Sequence, residues 1–389
     1  MAASHEFTQA LTTGSWPDVA TARLLLSCFA AYPTVGLRSE QAASIDARVV
    51  YDWLMAQDLG PFGFVAMGSV WPELARMLRA DAYSAMAEMS LRMNNVQEIS
   101  AALTAAGITA LWLKGVALQT IYPEAWLRTM SDVDAWLSAE TVAAALAALQ
   151  AKGYRLHAGR EERPLALQQI SHGELKLTRL GEYPQLVELH WGPLAGWWMV
   201  RTAQVDSATM WSRREPLPGV PGGYQLEAND MVIQVAVHLA VNHHFQVGAI
   251  RGLIDIALTA QKRGVDWQVA AERAKAWRVG TAVYTVLVLL DDLIGVPGMA
   301  EAVKGIRPSA LRRWLLRRFV TPESVLAGQD WRHGWQRYWL LLLLVDRPRD
   351  MVRLVLRTLW PEPAWLAARY GEPTGYGRHL WRLVKGEGV

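Results

Sequence analysis

The chain has 389 residues, of which 52% are apolar and 19% charged, with a formal net charge of +3 at pH 7. That length can hold two or three domains around a large core, and the small basic excess does not point to a nucleic-acid partner. A single cysteine, Cys28, excludes an internal disulfide and a cysteine-ligated zinc cluster.

The N-terminus lacks a basic stretch followed by an apolar run and a small-residue cleavage site, and no run reaches the ~18 apolar residues of a membrane helix. The expectation is a soluble cytoplasmic protein without membrane insertion. Residues 1–107 read as an N-terminal helical region, built from TARLLLSCFAA, ARVVYDWLMAQ and a long pattern from Pro72 to Ala106. Gly107 ends that pattern in the manner of a C-terminal cap glycine. ITALWL then predicts a short strand, followed by a helix over Val116 to Ile121 that Tyr122-Pro123 breaks. DVDAWL predicts a second strand, and Ala139 to Ala151 an alanine-rich helix stopped by Lys152-Gly153. Further strands are expected over Tyr154–His157, Glu174–Leu180 and Gln185–Trp191, so that residues 108–213 form an α/β unit.

The polar, Pro/Gly-rich REPLPGVPGG at 214–223 reads as a connection into a helical second half, 224–389. There Asn229 or Asp230 is expected to cap a helix from Met231 to His244. His238 and His244, six residues apart, read as packing or polar-network residues rather than a shared metal site. Arg251 and Asp255, at i and i+4, suit either a helix-surface ion pair or contacts to a ligand in a cleft. The apolar run Tyr338 to Val345 predicts a buried helix, and the arginines of RPRDMVRLVLRTLW a solvated face with an anionic contact as the alternative. Among 19 tryptophans, Trp335 and Trp339 fall at core-packing spacing. Trp191, Trp197 and Trp198 are candidates to wall an acceptor or base pocket.

The chemistry concentrates in LKGVALQTIYPEAWLRTMSDVDAWL, Leu113 to Leu137. On a strand, residues two apart share a face, so Asp132 and Asp134 project together. Carboxylates that close repel unless a cation lies between them, and hard oxygen ligands suit Mg²⁺ or Mn²⁺. Two solvated acids at a strand end would give the same pattern. QLVELHW supplies a third candidate: Val187 and Leu189 alternate toward a core while Glu188 and His190 share the other side. Glu188 is then a third carboxylate or an edge-strand acid, and His190 a residue that orients a carboxylate, with metal ligation or a satisfied core histidine as the alternatives.

Lys114-Gly115, Tyr122-Pro123, Arg128, Asp132-Val133-Asp134 and Glu188-Leu189-His190-Trp191, in that order and spacing, resemble the uncharacterised nucleotidyltransferase family of the DNA polymerase β-like superfamily. HLA at 238–240, RGLIDIA at 251–257, VDW at 265–267 and WPEPAWLAARYG at 360–371 extend the likeness into the helical half. The resemblance implies an α+β fold: a small mixed-sheet nucleotidyltransferase core flanked by an N-terminal helical segment and a C-terminal helical domain. It also implies a two-Mg²⁺ site at Asp132, Asp134 and Glu188, moving a nucleoside monophosphate from an NTP such as ATP to an acceptor with release of pyrophosphate. A modified peptide, a sugar phosphate or a small molecule are the acceptors it suggests.

One departure stands out. The superfamily's usual Gly-Ser or Gly-Gly pair is here Gly115-Val116, so the phosphate-holding hydroxyl is missing. Lys114 and Arg128 could supply positive charge to the triphosphate. They read equally as a snorkelling strand-end lysine and a loop arginine paired with an acid. Gly115 suits close backbone approach at a turn into a helix. Two rival readings are transfer of another activated group, such as a glycosyl, onto a phosphorylated peptide or glycan, and a nucleotide- or partner-binding scaffold without turnover.

Overall fold

A computed structural model describes residues 16–33, 37–157, 165–181, 183–194, 197–246, 248–328, 335–370 and 375–385. It joins helices at both ends of the chain to a seven-stranded mixed sheet. The strands are β1 (Ala110–Leu113), β2 (Val133–Trp136), β3 (Arg155–Leu156), β4 (Glu174–Arg179), β5 (Gln185–His190), β6 (Glu215–Pro216) and β7 (Gly223–Gln225). Their order is β3-β4-β5-β2-β1-β7-β6. β2 runs antiparallel to β1 and parallel to β5, and β4 runs antiparallel to β5. No helix among the described residues is long and apolar enough to cross a membrane.

The pleat sorts the central strands into two faces. Val133, Ala135, Leu177, Val187 and Leu189 are each fully buried in the apolar core. The alternate positions are polar: Asp134 stands opposite Glu188, Glu188 opposite Lys176, and His190 opposite Glu174. A one-residue slip would send the acids into the core, so apolar burial itself fixes the register that aligns them.

The helix Pro72–Ala105 ends as its sequence predicts: Gly107 takes a φ of +71°, and the Ile108 N–H reaches back to the Leu103 carbonyl. The 214–223 connection behaves differently. It folds as the β6–β7 hairpin and extends the sheet to Gln225, past the expected end of the core at residue 213. Gly223 explains the close fit, since a Cβ there would stand 2.7 Å from the Trp112 indole nitrogen. A short strand whose key residue is a glycine carries no alternating apolar signal.

The helical half also departs in detail. Its first helix is Ala228–Val237, capped by Glu227, whose side chain accepts from the Asp230 N–H at 3.3 Å. Asp230, fully buried, is instead held by Arg213 and Arg273, at 2.7 Å from each. Asn229 accepts from the Asp266 N–H at 2.8 Å. Helix Trp335–Leu344 buries Tyr338 and Leu340 to Leu344 as expected, but Trp335 and Trp339 are 47% and 56% exposed. Their one-turn spacing defines a shared face, and the leucine face is the one that packs.

A buried ion pair fastens the sheet unit to the helices. Arg128 grips Asp255, on helix Ala249–Arg263, through Nε at 2.8 Å and a terminal nitrogen at 2.9 Å, and the Tyr122 hydroxyl donates to the same carboxylate at 2.8 Å. The Arg128 carbonyl accepts from Gln119 at 3.0 Å. Removing one partner of such a pair leaves an uncompensated buried charge. Asp255→Ala is therefore expected to destabilise the protein by about 3–5 kcal/mol in denaturant melts, and Arg128→Lys to recover little because it loses the two-pronged geometry. A melt of Asp255→Ala within error of the native chain would contradict this role.

Candidate active site

β2 and β5 deliver the acids side by side because they are parallel neighbours in register. Asp134, Glu188 and His190 are all buried, and one ligand atom from each lies within 4.8 Å of the others. His190 Nε2 is 2.8 Å from Asp134 Oδ1 and 3.7 Å from a Glu188 oxygen. Two lysines balance the acids. Lys114 Nζ donates to Asp134 Oδ1 at 2.6 Å, and Lys176 pairs with Glu188 while standing 3.7 Å from Glu174. Lys114 adopts a φ of +46° at the junction of β1 with helix Lys114–Leu118, an uncommon conformation for a side chain-bearing residue.

The charges are strongly coupled. Burial alone would raise Asp134, but the Lys114 ammonium and the hydrogen bond to His190 hold its carboxyl far below the usual carboxylate range. Burial likewise pulls Lys114 down, and the carboxylates of Asp134, Glu188 and Asp132 more than reverse it. Asp132, just before β2 and half-buried, is raised by burial and by repulsion from Asp134, with Lys114 opposing. It takes a hydrogen bond from Ser131 at 3.2 Å.

Asp132 faces a cleft between the sheet and the helical half. Lys114, Gly115, Arg128, Arg251 and Asp255 line it too. Arg128 and Asp255 are spent on each other, whereas Arg251 reaches Asp58 at 3.0 Å and the Thr129 hydroxyl at 3.2 Å. Gly115 is required by packing: a Cβ there would fall 2.7 Å from Met130 Cβ. Of the tryptophans, Trp191 donates its backbone N–H to the Gly173 carbonyl and packs its side chain on the core, and Trp198 stacks edge-on with Tyr338. The Trp197 side chain lies outside the described residues.

The sequence pattern did not single out Gln234 or His243, both of which line the cleft, and gave no partner for His238. His238 meets His243 across 2.9 Å, while His244 lies 3.1 Å from Arg337. The π-helical turn His238–Asn242 makes that pairing, and no residue in it forecasts a π turn.

A family model described as uncharacterised nucleotidyltransferase matches residues 54–295, more than half of the chain. The chain belongs to that family. The match takes in the sheet, the cleft and the first helices of the helical half, and leaves the tail at 360–371 outside. No curated protein and no solved structure matches the chain.

Asp132 costs stability where it stands. Its carboxyl is raised above the ordinary 3.8, so the folded state disfavours the ionised form at neutral pH and the penalty disappears once pH falls below that value. Asp132→Asn is expected to stabilise the protein by about 1 kcal/mol at pH 7, with the gain shrinking toward pH 4. Thermal melts across that range check it, and a destabilised variant at pH 7 would count against the charge balance described.

Proposed function

We propose that the protein is a metal-dependent nucleotidyltransferase that moves a nucleoside monophosphate from an NTP to a hydroxyl or phosphate oxygen of an acceptor. The observation that carries this is the alignment of Asp134 opposite Glu188 on parallel strands, with Asp132 at the mouth of a cleft that also holds Lys114 and Arg251. The donor set fits a hard divalent cation: Asp134 and Glu188, which converge with His190, would hold Mg²⁺, or Mn²⁺, with Asp132 on the cleft wall as the further carboxylate and His190 orienting Asp134. Such an ion supplies Lewis-acid neutralisation of phosphate charge and a lowered pKa for the acceptor hydroxyl.

The chain's own groups supply position and charge. Lys114 and Arg251 line the cleft as cations able to meet phosphate oxygens. Arg128 is committed to Asp255, so its role in the site is to hold the cleft wall that carries Arg251. Gly115 lets the chain pass tightly under Met130 at the turn where Lys114 is presented. In the reaction the acceptor oxygen bonds to the α-phosphorus, the bond to the bridging oxygen breaks, pyrophosphate leaves, and the acceptor proton is lost to solvent or base. A modified peptide, a sugar phosphate or another small hydroxyl compound is the acceptor class.

A second reading follows from the lysines. Lys114 on Asp134 and Lys176 on Glu188 already neutralise the cluster, which suits a nucleotide-binding scaffold without turnover.

Incubation with the four NTPs, Mg²⁺ and an acceptor panel, read by pyrophosphate release and product mass, separates the readings. Nucleotidyl transfer predicts a product heavier by one nucleoside monophosphate, lost with Mg²⁺ chelation and reduced at least about 100-fold in Asp134→Asn. A hexose-sized gain from an activated sugar would indicate glycosyl transfer, and bound nucleotide without product across the panel would favour the scaffold.

A further inference from the structure

The cleft has a further polar wall that none of the phosphate chemistry uses. Gln234, His238 and His243 form it, from the helix Ala228–Val237 and the π turn that follows. Gln234 and His238, four apart, share a helical face. His243 would not join them on an ordinary helix, where five residues turn the side chain about 140° away from the first. The π turn brings it back: the His243 N–H bonds to the His238 carbonyl at 3.1 Å, and the two rings meet edge-on with centroids 4.6 Å apart.

This arrangement is held against local preference. π turns are rare and concentrate at functional sites. The two residues after His243 are also unusual, with His244 at φ +51° and Phe245 at φ +57°. Non-glycine residues in that region store strain that the surrounding structure must impose. A fold that only needed to pack here could have continued the helix.

The wall's hydrogen-bonding capacity is unsatisfied and uncharged. Gln234 is 3% exposed, and its Oε1 is buried with no hydrogen-bond partner. An orphaned buried acceptor costs about 1–3 kcal/mol, so it calls for a donor from elsewhere. Between the imidazoles, Nε2 faces Nε2 at 2.9 Å, so one ring must donate and the other accept. Their Nδ1 atoms are then one acceptor and one donor. Burial, Lys114 and His243 hold His238 well below its ordinary value, and desolvation with the nearby Arg251, Lys114 and Arg128 lowers His243 to about 4 although its ring opens to the cleft. Beside these polar groups lie Leu118, Val235 and Leu239, an apolar floor.

We infer that Gln234, His238 and His243 form the subsite that recognises the nucleobase of the bound nucleotide. An uncharged planar ring with donors and acceptors on its edge matches an apolar floor flanked by a donor, an acceptor and an orphaned carbonyl. A phosphate or a carboxylate does not, because Gln234 Oε1 would repel it. This assignment rests on the nucleotidyltransferase reading and adds to it the selection among bases.

Calorimetry with non-hydrolysable analogues of the four NTPs and with inorganic tripolyphosphate, all with Mg²⁺, tests it. The native chain is expected to prefer one base by about tenfold or more. Gln234→Leu and His243→Ala should reduce that preference to within about threefold while leaving tripolyphosphate affinity unchanged. His243 opens to the cleft, so its variant tolerates the change, and His243→Asn is a second, smaller perturbation should thermal melts show damage. Equal affinity for all four nucleotides in the native chain, a preference intact in the variants, or an equal loss of tripolyphosphate binding would overturn the base subsite alone. A native chain that binds neither nucleotide nor tripolyphosphate would overturn the nucleotidyltransferase reading with it.

Discussion

Asp134 has 1% of its surface exposed and stays ionised because the Lys114 ammonium and a hydrogen bond with His190 hold its carboxyl down. A lone buried carboxylate would take up a proton instead. Lys114 and His190 prevent that, and both depend on secondary structure to arrive. Lys114 sits at the end of β1, whose last residue, Leu113, pairs with Asp134 itself. His190 ends β5, two residues beyond Glu188. The apolar positions between them, Val133, Val187 and Leu189, lock the register by burial. The core and the site are thus two faces of the same strands, and neither can shift without the other.

The helical half completes what the sheet begins. Alone, the sheet would offer carboxylates and a lysine with one side open to water. Helix Ala249–Arg263, pinned by Asp255 to Arg128, brings Arg251 to the cleft, and the helix and π turn before it bring Gln234, His238 and His243. Stability and chemistry are divided among neighbouring residues. The Arg128–Asp255 pair is sealed and structural, whereas Asp132, Arg251 and the imidazole pair keep polar groups turned to the cavity. Asp132 marks the usual trade: a repelled carboxylate weakens the fold at the place where a bound cation would favour it.

Much of this was legible in the sequence. Alternation in QLVELHW placed Glu188 and His190 on the polar face, but strand pairing is what sets Asp134 opposite Glu188, and Asp132 precedes β2 and stands outside that buried group. Gly107 marked its helix end through a φ that other residues avoid. Family likeness supplied the chemistry that spacing alone left open. What stayed hidden was non-local or irregular. Arg128 and Asp255 are 127 residues apart in the chain, so no local pattern pairs them. The π turn lies inside a helical periodicity that reads as continuous, so nothing in the pattern brought His243 to His238. The β6–β7 hairpin depends on Trp112 meeting Gly223, a tertiary contact that overrides a loop-like composition.

In the proposed reaction the acids of β2 and β5 would hold a divalent cation against the nucleotide phosphates. Diffraction from crystals grown with Mn²⁺ and a non-hydrolysable NTP, with anomalous scattering to locate the metal, tests that directly. The prediction is a manganese peak bonded to oxygens of Asp134 and Glu188, Lys114 turned toward phosphate, and no peak in Asp134→Asn. Nucleotide bound with both carboxylates still paired to Lys114 and Lys176, and no metal between them, would contradict it.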